Sequence, residues 1–209
     1  VNQIDRRDQV VTATHEDEEY LAELIAGALV AAKVPVVQYL VPDESQQLAV
    51  LTSVARLELE NVRVSAGIVR TDAGREAVAL WIYHRGAGEP EPELDSRLKN
   101  AAGPAAPRFL AYRQALDARR RDLLGDQPHW QLQIIATRPD QQGRGFGRLL
   151  VRDQLAVIDR VGEPTYAEAP TEEHRRALQS LGFRPKDPSV VLGDGRTHVF
   201  PALHRPTHR

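Results

Sequence analysis

Apolar residues recur along this chain at two different periods, and the switches between them predict its elements. After Thr14, a hydroxyl cap followed by the acids Glu16 and Asp17, the residues Leu21, Leu24, Ile25, Ala28 and Leu29 fall on one helical face. Pro42 and Asp43 open a second predicted helix, VPDESQQLAVLTSVARLELEN, through Leu48, Leu51 and Val54. The stretches VRVSAGIVR (62–70) and EAVALWIYH (76–84) read as strands of a hairpin joined by the turn Thr71-Asp72-Ala73-Gly74. Residues 86–107 are rich in proline, glycine and small side chains, which predicts an excursion between strands; a helical period resumes through Phe109, Tyr112 and Leu116. HWQLQIIATRP (129–139) reads as a strand. FGRLLVRDQLAVIDRV (146–161) reads as a helix with Val151, Leu155 and Ile158 on one stripe, stopped by Gly162 and Pro164. A short strand at 165–169, a helix at 171–181 and two strands around Gly193-Asp194-Gly195 complete the pattern. The sum is a mixed α/β (α+β) chain without repeats, organised as a single domain over 1–209.

Composition narrows the function classes. Hydrophobic residues at 42% and charged residues at 27% are those of a soluble globular protein, and no apolar run approaches the roughly 20 residues of a membrane span. The first twenty residues carry acids where a signal peptide would have its apolar core, which predicts a cytoplasmic protein. A net charge of -2 argues against a general attraction for nucleic acid. The absence of cysteine excludes disulfides, thiolate metal sites and a cysteine nucleophile, and the seven scattered histidines lack the paired spacing of a zinc helix, so no metal is expected.

The informative stretch is RPDQQGRGFGRLLV, where Gly143, Gly145 and Gly147 occupy alternate positions between a strand and a helix. A helix N-terminus carries unpaired N–H groups and partial positive charge, so a glycine-rich approach to one suits phosphate oxygens. Neither common nucleotide motif fits. A Walker loop needs Lys then Ser or Thr where Arg148 and Leu149 stand, and the dinucleotide fingerprint needs glycine at Arg148.

Gln142-Gly143-Arg144-Gly145-Phe146-Gly147 instead matches Q-x-x-G-x-G/A, and with the downstream LQSLGF the chain resembles the GCN5-related N-acetyltransferase superfamily. The order and spacing of AVALWIYH, HWQLQIIATRPDQQGRGFG, PTYAEAP and VVLGDGRTHVFPALHRP are similar to those of its puromycin N-acetyltransferase group and actinobacterial relatives. The resemblance implies a mixed, mostly antiparallel twisted sheet flanked by helices, with a widening gap, or splay, between the strands at 129–137 and 165–169. It implies acetyl-CoA as cofactor, its pyrophosphate on Gln142, Gly143, Arg144, Gly145, Phe146 and Gly147 and its pantetheine arm along the main chain of Ile135, Ala136 and Thr137. The activity implied is acetyl transfer to the primary amine of a small molecule, an antibiotic or a metabolite. An acetyl-CoA-binding protein without turnover and a protein acetylase are the alternatives. Oligomeric state is left open, a homodimer being one option.

The chemistry requires a neutral amine, a donor for an oxyanion and a proton for the leaving thiolate. A backbone N–H near Ile135 or Ala136 is the implied oxyanion donor. Gln131 and Gln133 cannot take a proton, whereas Glu168 matches the glutamate of the family's LET and is the candidate catalytic base; a purely structural carboxylate is the other reading. Leu178 stands where the family's FYERLGF carries its proton-donating tyrosine, which leaves His174 and Tyr166 as nearby substitutes, Tyr166 sharing a strand face with Glu168. The acids at 16–19, the run EPEPELD and the arginines 119–121 are either solvated faces or attract charged partners.

Overall fold

Two strands separated by a long helix lie side by side and run parallel, and everything else in the sheet is arranged around that pair. The computed structural model describes residues 9–86 and 92–206. Its strands are β1 (Val10–Thr12), β2 (Gly67–Asp72), β3 (Ala77–His84), β4 (His129–Thr137), β5 (Thr165–Ala169), β6 (Arg184–Pro185), β7 (Val190–Val191) and β8 (His198–His204). They follow the order β1-β2-β3-β4-β5-β8-β6, with β7 also on β8. Among the described residues only β4 and β5 pair in parallel; the other pairs are antiparallel. The expected mixed, mostly antiparallel sheet is therefore present.

Seven helices flank it among the described residues: α1 (Glu18–Ala32), α2 (Pro35–Leu40), α3 (Glu44–Val64), α4 (Pro92–Ala102), α5 (Ala106–Leu124), α6 (Phe146–Val161) and α7 (Glu172–Ser180). On one side of the sheet Leu21 and Ile25 of α1 and Leu59 and Val62 of α3 pack with Val78 and Leu80. On the other, Leu150, Val151, Leu155 and Ile158 of α6 pack with Trp81, Leu132, Leu178 and Phe183. A third cluster ties α2, α3, α4 and α5 together through Val37, Leu51, Leu98, Phe109 and Leu116.

The splay has a structural cause. β4 and β5 are joined only at Trp130–Thr165, Gln131–Tyr166 and Leu132–Ala167. Beyond Leu132 the register of β4 against β3 skips a residue: Trp81 faces Leu132, Leu80 faces Ile134, and Gln133 is the extra residue of a bulge. A bulge bends its strand and strengthens the local twist, so β4 turns away toward β3 while β5 stays with β8 through Glu168–Pro201 and Ala169–Phe200.

Several predicted boundaries are corrected. The strand expected at 62–70 starts only at Gly67, because Leu59 and Val62 continue the buried face of α3 and the helix runs to Val64. Burial at helical spacing overrides the β preference of the valines. Glycine at 67 permits the sharp return into the sheet, since a Cβ there would stand 2.6 Å from the Val62 carbonyl oxygen and 2.7 Å from that of Trp81. The excursion at 86–107 contains α4, an unpredicted helix, and residues 87–91 of it lie outside the description. β1, α2 and β6 were also unpredicted elements. Among the described residues, no helix is long and apolar enough to cross a membrane.

Candidate functional site

The glycine loop stands at the open end of the splay, where β4 has parted from β5. After a single turn at Pro139–Gln141 the chain extends at Gln142, then adopts positive φ at Gly143 (78°) and Gly145 (91°), a region that favours glycine. Gly145 is the N-cap of α6, and the first helical bond runs from Leu149 N–H to its carbonyl oxygen at 2.9 Å. The N–H groups of Phe146, Gly147 and Arg148 therefore have no partner within the helix. Nothing stands within 4 Å of a Cβ placed on Gly143 or Gly145, so these two face an open cradle. Gly147 answers a different need: a Cβ there would lie 3.0 Å from Ile135 Cδ1, and its absence lets α6 start against β4.

A cleft of about 310 Å³ opens here, lined in part by Thr137, Gln142, Gly143, Gly145, Phe146 and Gly147. Gln142 Nε2 donates to the Thr137 carbonyl oxygen at 3.3 Å and ties the loop to the strand end. Arg144 points along the loop to Gln141 Oε1 at 2.6 Å, outside the cleft lining, while Arg148 lines it and donates to Ser180 Oγ at 3.0 Å. Ile135, Ala136 and Thr137 pair with Ala79, Val78 and Ala77 on one edge only. On the other edge no strand among the described residues pairs with them, so backbone groups pointing that way face the splay.

Glu168 sits on β5, just past the last β4–β5 pair, half-buried and with Oε1 shielded from solvent. Burial pushes its carboxyl up to about 7; the Tyr166 phenol and the Arg120 guanidinium oppose that rise and Asp117 adds to it. Tyr166 is fully buried two residues earlier on the same face. Its Oη and Glu168 Oε1 share no bond of full hydrogen-bonding geometry and have no other partner, but the phenol lies close enough to favour the carboxylate. Burial and Glu168 together hold Tyr166 well above the usual phenol range.

Three groups missed by sequence reasoning complete this side. Tyr112 of α5 is kept neutral by burial, and the charges of Glu168 and Glu58 act in the same direction. Glu58 of α3 accepts from Gln133 Nε2 at 3.3 Å, so the bulged residue of β4 reaches toward α3. Arg120 of α5 is 8% exposed and bonds to Asp117, Gln131 and His84.

Other candidates have structural roles. His174 accepts α7's cap, its Nδ1 lying 2.6 Å from Thr171 Oγ1, which also accepts from its backbone N–H; burial lowers its pKa. Leu178 is 7% exposed in the α6 core cluster with Phe183. Phe183 N–H bonds to the Leu178 carbonyl oxygen at 3.1 Å around Gly182, whose φ is 93°: a left-handed helix stop that explains leucine there. The acids at 17–19 are engaged locally, Asp17 with Arg75, Glu18 with Arg63 and Glu19 with Arg56. Within EPEPELD, Asp95 pairs with Arg113 at 3.1 Å; the run's first residues, 89–91, lie outside the described residues.

No family model matches the sequence. Among solved structures, the chain is similar to a protein from Corynebacterium glutamicum described as histone acetyltransferase HPA2 and related acetyltransferase. The identity is 26%, the TM-score 0.62, and 96% of this chain and 97% of that one are covered. A mosquito arylalkylamine N-acetyltransferase-like protein superposes with TM-score 0.63 at 16% identity, over 94% and 99% of the two chains. A Drosophila melanogaster polyamine N-acetyltransferase does so with TM-score 0.54 at 17% identity, over 94% and 100%. These likenesses span nearly the whole chain, and together with the glycine-loop motif at 142–147 they give it the fold of the GCN5-related N-acetyltransferase superfamily.

Proposed function

We propose that this N-acetyltransferase takes its acetyl group from acetyl-CoA and delivers it to the primary amine of a small molecule, with Glu168 as the base. The observation that carries the reading is the splay itself, which runs from the Gly143–Gly147 cradle at one end to Glu168 at the other. The cradle fits a pyrophosphate: its main-chain N–H groups are unpaired, its glycines leave the approach open, and Arg148 adds positive charge at the lining. The free edge of Ile135, Ala136 and Thr137 suits an extended, amide-bearing arm. When bound, acetyl-CoA supplies a thioester as acyl donor.

The residues opposite the cradle handle the amine. An alkylammonium cannot attack a carbonyl carbon until it loses a proton, and a carboxyl poised near 7 can take one at neutral pH without holding it irreversibly. Tyr112, neutral at any working pH, offers a hydroxyl next to Glu168 for orienting the nitrogen. The acceptors named for the mosquito and Drosophila proteins, arylalkylamines and polyamines, are small amines and support this class, while the Corynebacterium glutamicum protein's description as a histone acetyltransferase keeps a protein acceptor as the second reading.

Calorimetry with acetyl-CoA, followed by thiol release across small amines and lysine peptides, tests the proposal. We expect binding, turnover with small amines, and an affinity loss of about 100-fold or more in Gly145→Glu, which puts a carboxylate and a strained positive-φ side chain into the cradle. Unchanged affinity in a folded Gly145→Glu protein would refute the cradle. Binding without turnover would select the non-catalytic alternative, which the leucine at 178 favours.

A further inference from the structure

We propose that Arg120 is the positioning residue of the base: pinned at the closed end of the splay by Asp117, Gln131 and His84, its guanidinium keeps the Glu168 carboxyl charged when an amine must be deprotonated. The inference rests on the reading of Glu168 as the base.

A guanidinium cannot shed its proton, so burying one is costly unless its charge is matched. The match at Arg120 is incomplete. Nη2 donates to Asp117 Oδ1 at 2.9 Å, but that carboxylate is shared, its other oxygen lying 3.6 Å from Arg113 Nε. Nη1 donates to Gln131 and lies 2.6 Å from His84 Nε2, which also lies 2.9 Å from Gln131 Oε1; both partners are uncharged. His84 is held neutral, its pKa lowered to about 3 by burial and by Arg120 and His129, and it brings no counter-charge. Much of the field of Arg120 is thus left to act on its surroundings.

Those surroundings are the splay. Gln131, which Arg120 grips, faces Tyr166 in the parallel ladder, and Glu168 lies two residues beyond Tyr166 on the same face. α5 brings Arg120, Asp117 and Tyr112 toward Glu168, and β5 brings Tyr166. Arg119 acts on Tyr166, and Glu58 of α3 acts on Tyr112. β4 contributes the neutral Gln131 and Gln133 and, stacked on His84, His129, whose pKa burial lowers; β8 places Pro201 opposite Glu168. Arg120 is the cation among these that lowers Glu168 directly, against burial and Asp117.

The test uses Glu carboxyl-carbon NMR of the full chain, with the Glu168 signal assigned from Glu168→Gln, beside the pH profile of turnover. In Arg120→Gln, which keeps the hydrogen-bonding reach without the charge, the Glu168 midpoint should move up by about one pH unit, as should the acid limb of the profile. Arg120→Lys should restore most of both. Asp117→Asn, at a partly exposed position, should move the midpoint the opposite way and serves if Arg120→Gln does not fold. A merely structural Arg120 would lower stability and plateau rate with the midpoint fixed, and a fixed midpoint in folded Arg120→Gln and Asp117→Asn overturns the inference. A midpoint that moves while the acid limb stays put upholds the electrostatic coupling and places the failure in the reading of Glu168 as base.

Discussion

Replacing Glu168 by glutamine should make the protein more stable and nearly inactive, and the stability gain should depend on pH in a defined window. The ordinary glutamate value is 4.5 and the folded value about 7. Between these the folded chain holds a proton that the unfolded chain has already released. Stability contributed by the raised pKa is therefore complete below 4.5 and lost as pH rises through 7. The whole gap corresponds to about 3 kcal/mol, an upper figure for a half-buried side chain. Glutamine keeps the shape and never ionises, so relative to wild type Glu168→Gln should gain up to about 3 kcal/mol between pH 4.5 and 8, roughly 6 to 12 °C in Tm for a chain of this size. Turnover should fall by about 100-fold with acetyl-CoA affinity nearly unchanged, because the amide cannot accept the amine's proton. Urea melts at a series of pH values give the first quantity, and thiol release gives the second. A stability difference that is flat in pH would mean that Glu168 is not desolvated, and equal turnover at every pH would reduce it to a structural carboxylate.

His84 should act in the opposite direction on the acid side. Its folded pKa of about 3 lies below the ordinary 6.5, so its contribution is present above 6.5 and disappears as pH falls toward 3; His84→Gln should lose less stability than wild type between pH 7 and 4 in thermal melts, and an unchanged slope would refute this. Leu178→Ala should cost about 2 to 4 kcal/mol by emptying part of the α6 cluster, with turnover per folded molecule within a few-fold of wild type; a large rate loss at unchanged stability would show that the position serves the chemistry.

The fold was most legible where one chemical requirement decided the local structure. The helix at 146–161 matches its predicted limits because a glycine N-cap, a regular apolar stripe and the left-handed Gly162 all act within it. The strand at 165–169 was equally clear, bounded by Pro164 and the cap Thr171. Prediction failed where tertiary contacts chose between two local options. The valines at 62 and 64 suit a strand, yet α1 and the sheet bury Val62 on a helical face. Pro92 reads as a breaker in a proline-rich run, whereas at the first position of α4 its missing N–H costs nothing. β1 is three residues long and exists because the edge of β2 is there to receive it.

The cradle was legible for the same reason as its helix: positive φ restricts residue type, and the restriction is written in the sequence. The opposite wall was harder, since it is assembled from α3, α5, β4 and β5, and periodicity assigns a residue to a face without saying what that face meets. Arg120 nevertheless left a trace. Phe109, Leu116 and Leu124 are all buried, and Arg120 lies four residues after Leu116 and four before Leu124, on the same helical stripe. In the run Arg119-Arg120-Arg121, successive side chains point about 100° apart, so one of three inward is what helical geometry requires when the stripe passes through the middle residue. A charged side chain in a buried stripe needs partners, and here they are one shared carboxylate and two neutral groups, His84 of β3 and Gln131 of β4. An arginine retained there with so little local neutralisation does more for its neighbours' ionisation than for packing, which is why its replacement by glutamine should register first in the titration of Glu168 and only second in the melting temperature.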